Sequence, residues 1–265
     1  MNFKYIIGSG CSFSDSNASW LYGFNTQKII NLAQGGCGNK YIQDSIIKEV
    51  YKLLESGVSA YDILVGVQFT GIARLDFIVS DETPTINNSL DDFTWHNKID
   101  EKSAWIHGGG SNSFVRDLDT KTFQDRYFLN YYKYFMTHTE NWYNFLVNII
   151  TLQSFLKSKN IKYFFHTGWN LVDVIHKKTF VSNLVKFKQF SYLWNQIEQD
   201  RFIFYESKYG NMSKNQAKNY SKFGGMWQYL IERDGINLDN DHPNEYGQKI
   251  WGEYLKEQVV TRNII

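Results

Sequence analysis

The chain has 265 residues, enough for one large α/β domain with a full core, so it needs no disulfide or metal to hold it together. Its 28 Lys and Arg stand against 27 Asp and Glu; a net charge of +1 excludes the basic footprint that nucleic acid or an acidic membrane surface requires. Two cysteines, Cys11 and Cys37, exclude a secreted disulfide framework and a four-cysteine zinc site. With no leader-like start and no apolar run near the ~18 residues that span a bilayer, the expectation is a soluble, cytoplasmic protein.

In chain order, Phe3 to Ile7 reads as a first strand that runs into Gly8-Ser9-Gly10. Ser19 to Thr26 reads as a short helix and Lys28 to Leu32 as a second strand ending in Gly35, Gly36 and Gly38. Ile42, Ile46, Val50 and Leu53 repeat at helical spacing, which predicts a helix from about Lys40 to Glu55 with Gly57 as its stop. Tyr61 to Phe69 is a continuous apolar run, the pattern of a strand buried on both faces. From about Ile78 to His138 the rhythm breaks, and this segment reads as an insertion. Alternation resumes with a helix carrying Trp142, Phe145, Leu146, Ile149, Leu152 and Leu156, then a strand Lys162 to His166. Phe180 to Gln196 reads as helix, Arg201 to Tyr205 as a fifth strand, and Asn244 to Val259 as a terminal helix. The expected fold is therefore one α/β domain over residues 1–265, a three-layer flavodoxin-like sandwich with about five parallel strands and an insertion at about 78–138.

A strand that stops in glycines and turns into a helix presents a hydroxyl where open α/β sheets bind ligands, and here that hydroxyl is Ser12. Serine needs a base to take its proton, and an imidazole works best with a carboxylate fixing its tautomer. Asp239 and His242, three residues apart near the other end of the chain, supply both. In a helical turn that spacing lets Asp239 reach the His242 ring. The same stretch also reads as a cap, with Asp239, Asn240 and Asp241 ahead of the terminal helix and Pro243 at its first position.

These residues resemble the blocks of the SGNH (GDSL-like) hydrolases. Gly10-Cys11-Ser12-Phe13-Ser14 is similar to the first block, with Cys11 where the family has Asp; Asp239 to Pro243 matches the last; Asn31 to Asn39 is similar to the second. In the third, Gly66-Val67-Gln68-Phe69 carries Gln68 where the family has an oxyanion-hole Asn. The resemblance implies a serine esterase with Ser12, His242 and Asp239 as its triad. The backbone amides of Ser12 and Gly36 and the side chain of Gln68 are the implied oxyanion donors. Openings of the Gly-Cys-Ser-Phe kind, with an altered third block and a nearby Arg, here Arg74, look similar to relatives in bacteria and their phages. Thr70, Arg74, Trp95, Trp105 and His166 are candidates for substrate contacts, the tryptophans because flat rings suit sugars.

No dinucleotide fingerprint, phosphate loop or metal-ligand spacing is present in the sequence, so no cofactor or metal is expected. The expected substrate is a small-molecule or glycan ester carrying an acetyl-like group. An acyltransferase on the same triad and a noncatalytic glycan-binding or structural protein are the alternatives the sequence leaves open.

Overall fold

The computed structural model describes residues 3–80, 103–108, 130–131, 134–171, 188–208, 221–237 and 242–265. Its centre is a five-stranded parallel sheet. The strands are β1 (Tyr5–Ser9), β2 (Lys28–Asn31), β3 (Ile63–Phe69), β6 (Lys162–Thr167) and β7 (Phe202–Ile203), in the order β2-β1-β3-β6-β7. Between them in sequence, β4 (Leu75–Ser80) and β5 (Ser103–Gly108) form a separate antiparallel pair, β4 starting ahead of the expected insertion and β5 lying within it.

β3 is buried along its whole length, which is why its sequence shows an unbroken apolar run rather than alternation. One face of the sheet is covered by α1 (Asn39–Glu55) and α2 (His138–Ser158), which pack on each other, Phe69 of β3 meeting Phe145 of α2 edge-on. Further along lie a single turn α3 (Ser191–Trp194), α4 (Met226–Ile231) and α5 (Glu245–Thr261). α5 covers the other face together with the 3-10 helix Trp20–Phe24. A Cβ on Gly252 would stand 2.2 Å from the Trp20 carbonyl oxygen, so only glycine lets α5 approach the 3-10 helix this closely. Trp20, Trp142, Trp227 and Trp251 are fully buried in this core.

The three-layer α/β form with five parallel strands is as expected. The expected strand Arg201 to Tyr205 divides: Phe202–Ile203 joins the sheet, while β8 (Tyr205–Ser207) pairs antiparallel with β9 (Ser221–Gly224). Of the helix expected over 180–196, residues 180–187 lie outside the described residues; 188 and 189 are helical, and after a turn at Phe190 the single turn α3 follows. Near the C-terminus, β10 (Ile236–Asn237) pairs antiparallel with β11 (His242–Pro243). Pro243 is thus in a short strand and does not begin the terminal helix; Asn244 caps it, its side chain accepting from the Gly247 N–H at 2.7 Å. Among the described residues no helix is long and apolar enough to cross a membrane.

Candidate active site

β1 ends at the point where the strand order reverses, with β2 on one side and β3 on the other, the place at which sheets of this order bind ligands. The chain leaves β1 in a tight turn, the N–H groups of Ser14 and Asp15 both donating to the Cys11 carbonyl, and Ser12 sits half-buried on it. His242, on β11, reaches it from 230 residues away: Nε2 lies 2.8 Å from Ser12 Oγ. That is the separation a nucleophile and its base require. The imidazole ring packs on Phe13 (5.1 Å between centroids), Phe13 on Trp169 (5.4 Å), and the Arg74 guanidinium stands 5.5 Å from the Trp169 ring centre.

A buried network fixes the turn from beneath. Gln68, on β3, accepts from the Cys11 N–H at 3.2 Å and the Ser14 hydroxyl at 2.9 Å, while Ser14 accepts from Trp20 Nε1 at 2.7 Å. Gln248, on α5, accepts from the Trp20 N–H at 3.0 Å and donates to the Phe13 carbonyl at 2.7 Å. The helix that follows His242 therefore holds the residue that follows Ser12, so the two halves of the pair are braced against each other. Asp15 accepts from the Gly35 N–H at 2.8 Å and Cys37 Sγ donates to the Gly10 carbonyl at 3.2 Å, which joins the glycine turn to the serine turn. In that turn Gly36 has φ +81°, a conformation that favours glycine, and among the described residues neither its N–H nor that of Ser12 has a hydrogen-bond partner.

Several expected site residues stand elsewhere. Gln68 is fully buried with its oxygen committed to the serine turn; its Nε2 consequently points at Met226 Sδ, 3.9 Å away, and is not placed to donate to a substrate. Thr70 is also fully buried, its backbone N–H and C=O both bonded by the Asn39 amide. His166 lies on the α5 side of the sheet, fully buried with neither ring nitrogen partnered, edge-on to Trp20 (4.7 Å) and Trp251 (5.6 Å). Burial lowers its pKa to about 3. Trp105 is 6% exposed and packs edge-on to Tyr41 with Lys40 Nζ 5.4 Å from its ring centre, so its face is not offered to a ligand. Arg74 alone of these candidates stands half-buried at the rim, its Nη1 reaching the Cys37 carbonyl at 3.4 Å. Asp239 and Trp95 lie outside the described residues.

Both cysteines are fully buried, and burial pushes the Cys37 thiol well up, with Asp76 adding to the effect. Among the described residues no three His, Cys, Asp or Glu side chains converge as metal ligands do. Reasoning from sequence missed Gln248, Ser14 and Trp20, because a brace assembled from three separate segments leaves no spacing to read. It also missed Asp76, which accepts from the N–H groups of Gly38 and Tyr41 at 2.7 and 2.8 Å and so caps α1 from 38 residues beyond Gly38.

Fold and site together define an α/β protein with a serine–histidine pair at the C-terminal edge of a parallel sheet. No protein-family model matches the chain, and no curated protein sequence matches it. Among solved structures it is similar to a proposed acylhydrolase from Bacteroides fragilis, at 14% identity and TM-score 0.42, over 99% of this chain and 88% of that one. It is also similar to a member of the lipolytic G-D-S-L family from Veillonella parvula, at 12% and 0.42 over 97% and 98%, and to TesA, at 10% and 0.39 over 98% and 99%.

Proposed function

We propose that the chain is a serine esterase acting through an acyl-enzyme. The single observation that carries this reading is the 2.8 Å approach of His242 Nε2 to Ser12 Oγ, made across the whole length of the chain and braced on both sides. In the proposed reaction His242 takes the Ser12 proton as Oγ attacks the ester carbonyl. The charge that develops on the carbonyl oxygen is met by the Ser12 and Gly36 amides, one from each of the adjoining turns. His242 then returns the proton to the leaving alcohol, the acyl group stays on Ser12, and a water deprotonated by His242 releases it. Asp239 is the proposed orienter of His242. Without a side-chain donor at Gln68 the oxyanion hole is a two-amide one. Loss of one donor costs on the order of 10²- to 10³-fold in rate, so a slow esterase is expected.

The proposed substrate is a small acyl ester, acetyl-like, on a glycan. Trp169 and Arg74, both half-buried beside Phe13, would form its contact surface, since aromatic faces suit sugar rings. Turnover of p-nitrophenyl acetate tests the reading. Wild type should hydrolyse it and Ser12→Ala should not; equal rates from the two purified proteins would end it.

A further inference from the structure

On the α1 and α2 side of the sheet, a cavity of about 410 Å3 opens between the first turns of α1, β4 and the first half of α2. Its wall is polar. Lys40 and Gln43 come from α1, Arg74 from the loop before β4, and Asn141, Asn144 and Asn148 from α2. The spacing of the three asparagines keeps them on one side of a helix whose other inward residues, Gln153 apart, are apolar. Two of these side chains hold a buried polar atom with no partner: Nδ2 of Asn141, in a residue 5% exposed, and Oε1 of Gln43. One is a donor and one an acceptor, and a buried group left unpaired is destabilising. A ligand that hydrogen-bonds there would remove that cost.

Among the described residues no carboxylate pairs with Lys40 or Arg74. Asp76 also lines the cavity, but its oxygens are held by the Gly38 and Tyr41 N–H groups and by His107 Nδ1, 2.8 Å away. Two cations against one carboxylate leave room for a single negative charge, which suits a carboxylate better than a phosphate dianion. Amides that both donate and accept suit hydroxyl groups. The volume falls within the range of small-molecule sites. Arg74 links the cavity to the serine–histidine pair through Trp169 and Phe13.

We propose that this cavity binds a carboxylated sugar, the uronic-acid unit of the ester substrate. As a substrate subsite it rests on the esterase reading, but binding is measurable without turnover. The test is calorimetric titration of the Ser12→Ala protein with glucuronate, glucose, acetate and inorganic phosphate. Glucuronate should bind at least tenfold more tightly than the other three, and Asn141→Leu and Arg74→Met, each checked by circular dichroism, should weaken it at least tenfold. No binding, phosphate or glucose binding as tightly, or indifference to Arg74→Met would overturn the proposal. Wild type that turns over p-nitrophenyl acetate while glucuronate fails to bind would refute this inference alone. Glucuronate binding without any turnover would refute the esterase reading alone.

Discussion

Replacing Gln68 with leucine, close to it in size, separates a brace from an oxyanion donor. The side chain is fully buried and its oxygen accepts from the Cys11 N–H and the Ser14 hydroxyl. In Gln68→Leu the Cys11 N–H loses its acceptor inside the protein, at about 1–3 kcal/mol, and the Ser14 hydroxyl loses a bond of about 1 kcal/mol. The sum is about 2–4 kcal/mol. For a domain of this size each kcal/mol shifts Tm by roughly 2–4 °C, so the midpoint should fall by about 5–15 °C. Because the serine turn is what loosens, kcat should fall as well. Differential scanning calorimetry read beside p-nitrophenyl acetate kinetics gives both numbers. A donor to the oxyanion would behave differently: kcat would drop with KM and Tm unchanged, since only a transition-state contact is lost. That pattern would refute the placement of Gln68 as a brace.

Gln248→Leu should act on both halves of the pair at once, leaving the Trp20 N–H and Phe13 carbonyl unpaired; kcat should fall at least tenfold and stability by about 2–4 kcal/mol, and an unchanged kcat would show that α5 does not hold the serine turn. His166 carries a folded pKa of about 3, far below that of an unfolded histidine, about 6.5. The unfolded chain binds the extra proton between these values, so the stability present above pH 6.5 is lost as pH falls toward 3, at about 1.4 kcal/mol per pH unit. Urea unfolding of wild type and His166→Phe at pH 7 and 4.5 should show wild type losing about 2–3 kcal/mol more than the variant, and equal losses would contradict the buried neutral imidazole.

The long periodic segments were legible because burial imposes a period on them. α1, α2 and α5 each keep apolar residues at helical spacing, and β3, Gln68 apart, carries no polar side chain because helices cover both of its faces. The candidate pair was legible for a different reason, since Ser12 follows a strand end and His242 stands just ahead of a capped helix. Gln68 shows where residue spacing runs out. Its place at the end of β3 beside the serine turn follows from sequence. Which of its amide atoms meets that turn depends on donors contributed by Cys11 and Ser14, and only coordinates bring those together. Thr70 and His166 were misjudged in the same way: a strand end places a residue near the site, but the packing of Asn39, Trp20 and Trp251 decides whether its side chain reaches solvent. The pairing of β10 with β11 rests on two residues in each strand, too few for a period to register.

The central claim, that His242 makes Ser12 a nucleophile, is tested most directly by the covalent adduct. Wild type treated with a fluorophosphonate should gain one adduct, located by peptide mass spectrometry on Ser12. Ser12→Ala should gain none, and His242→Ala, lacking the base, should react at least a hundredfold more slowly. An adduct on another residue, or equal labelling of wild type and His242→Ala, would contradict the account.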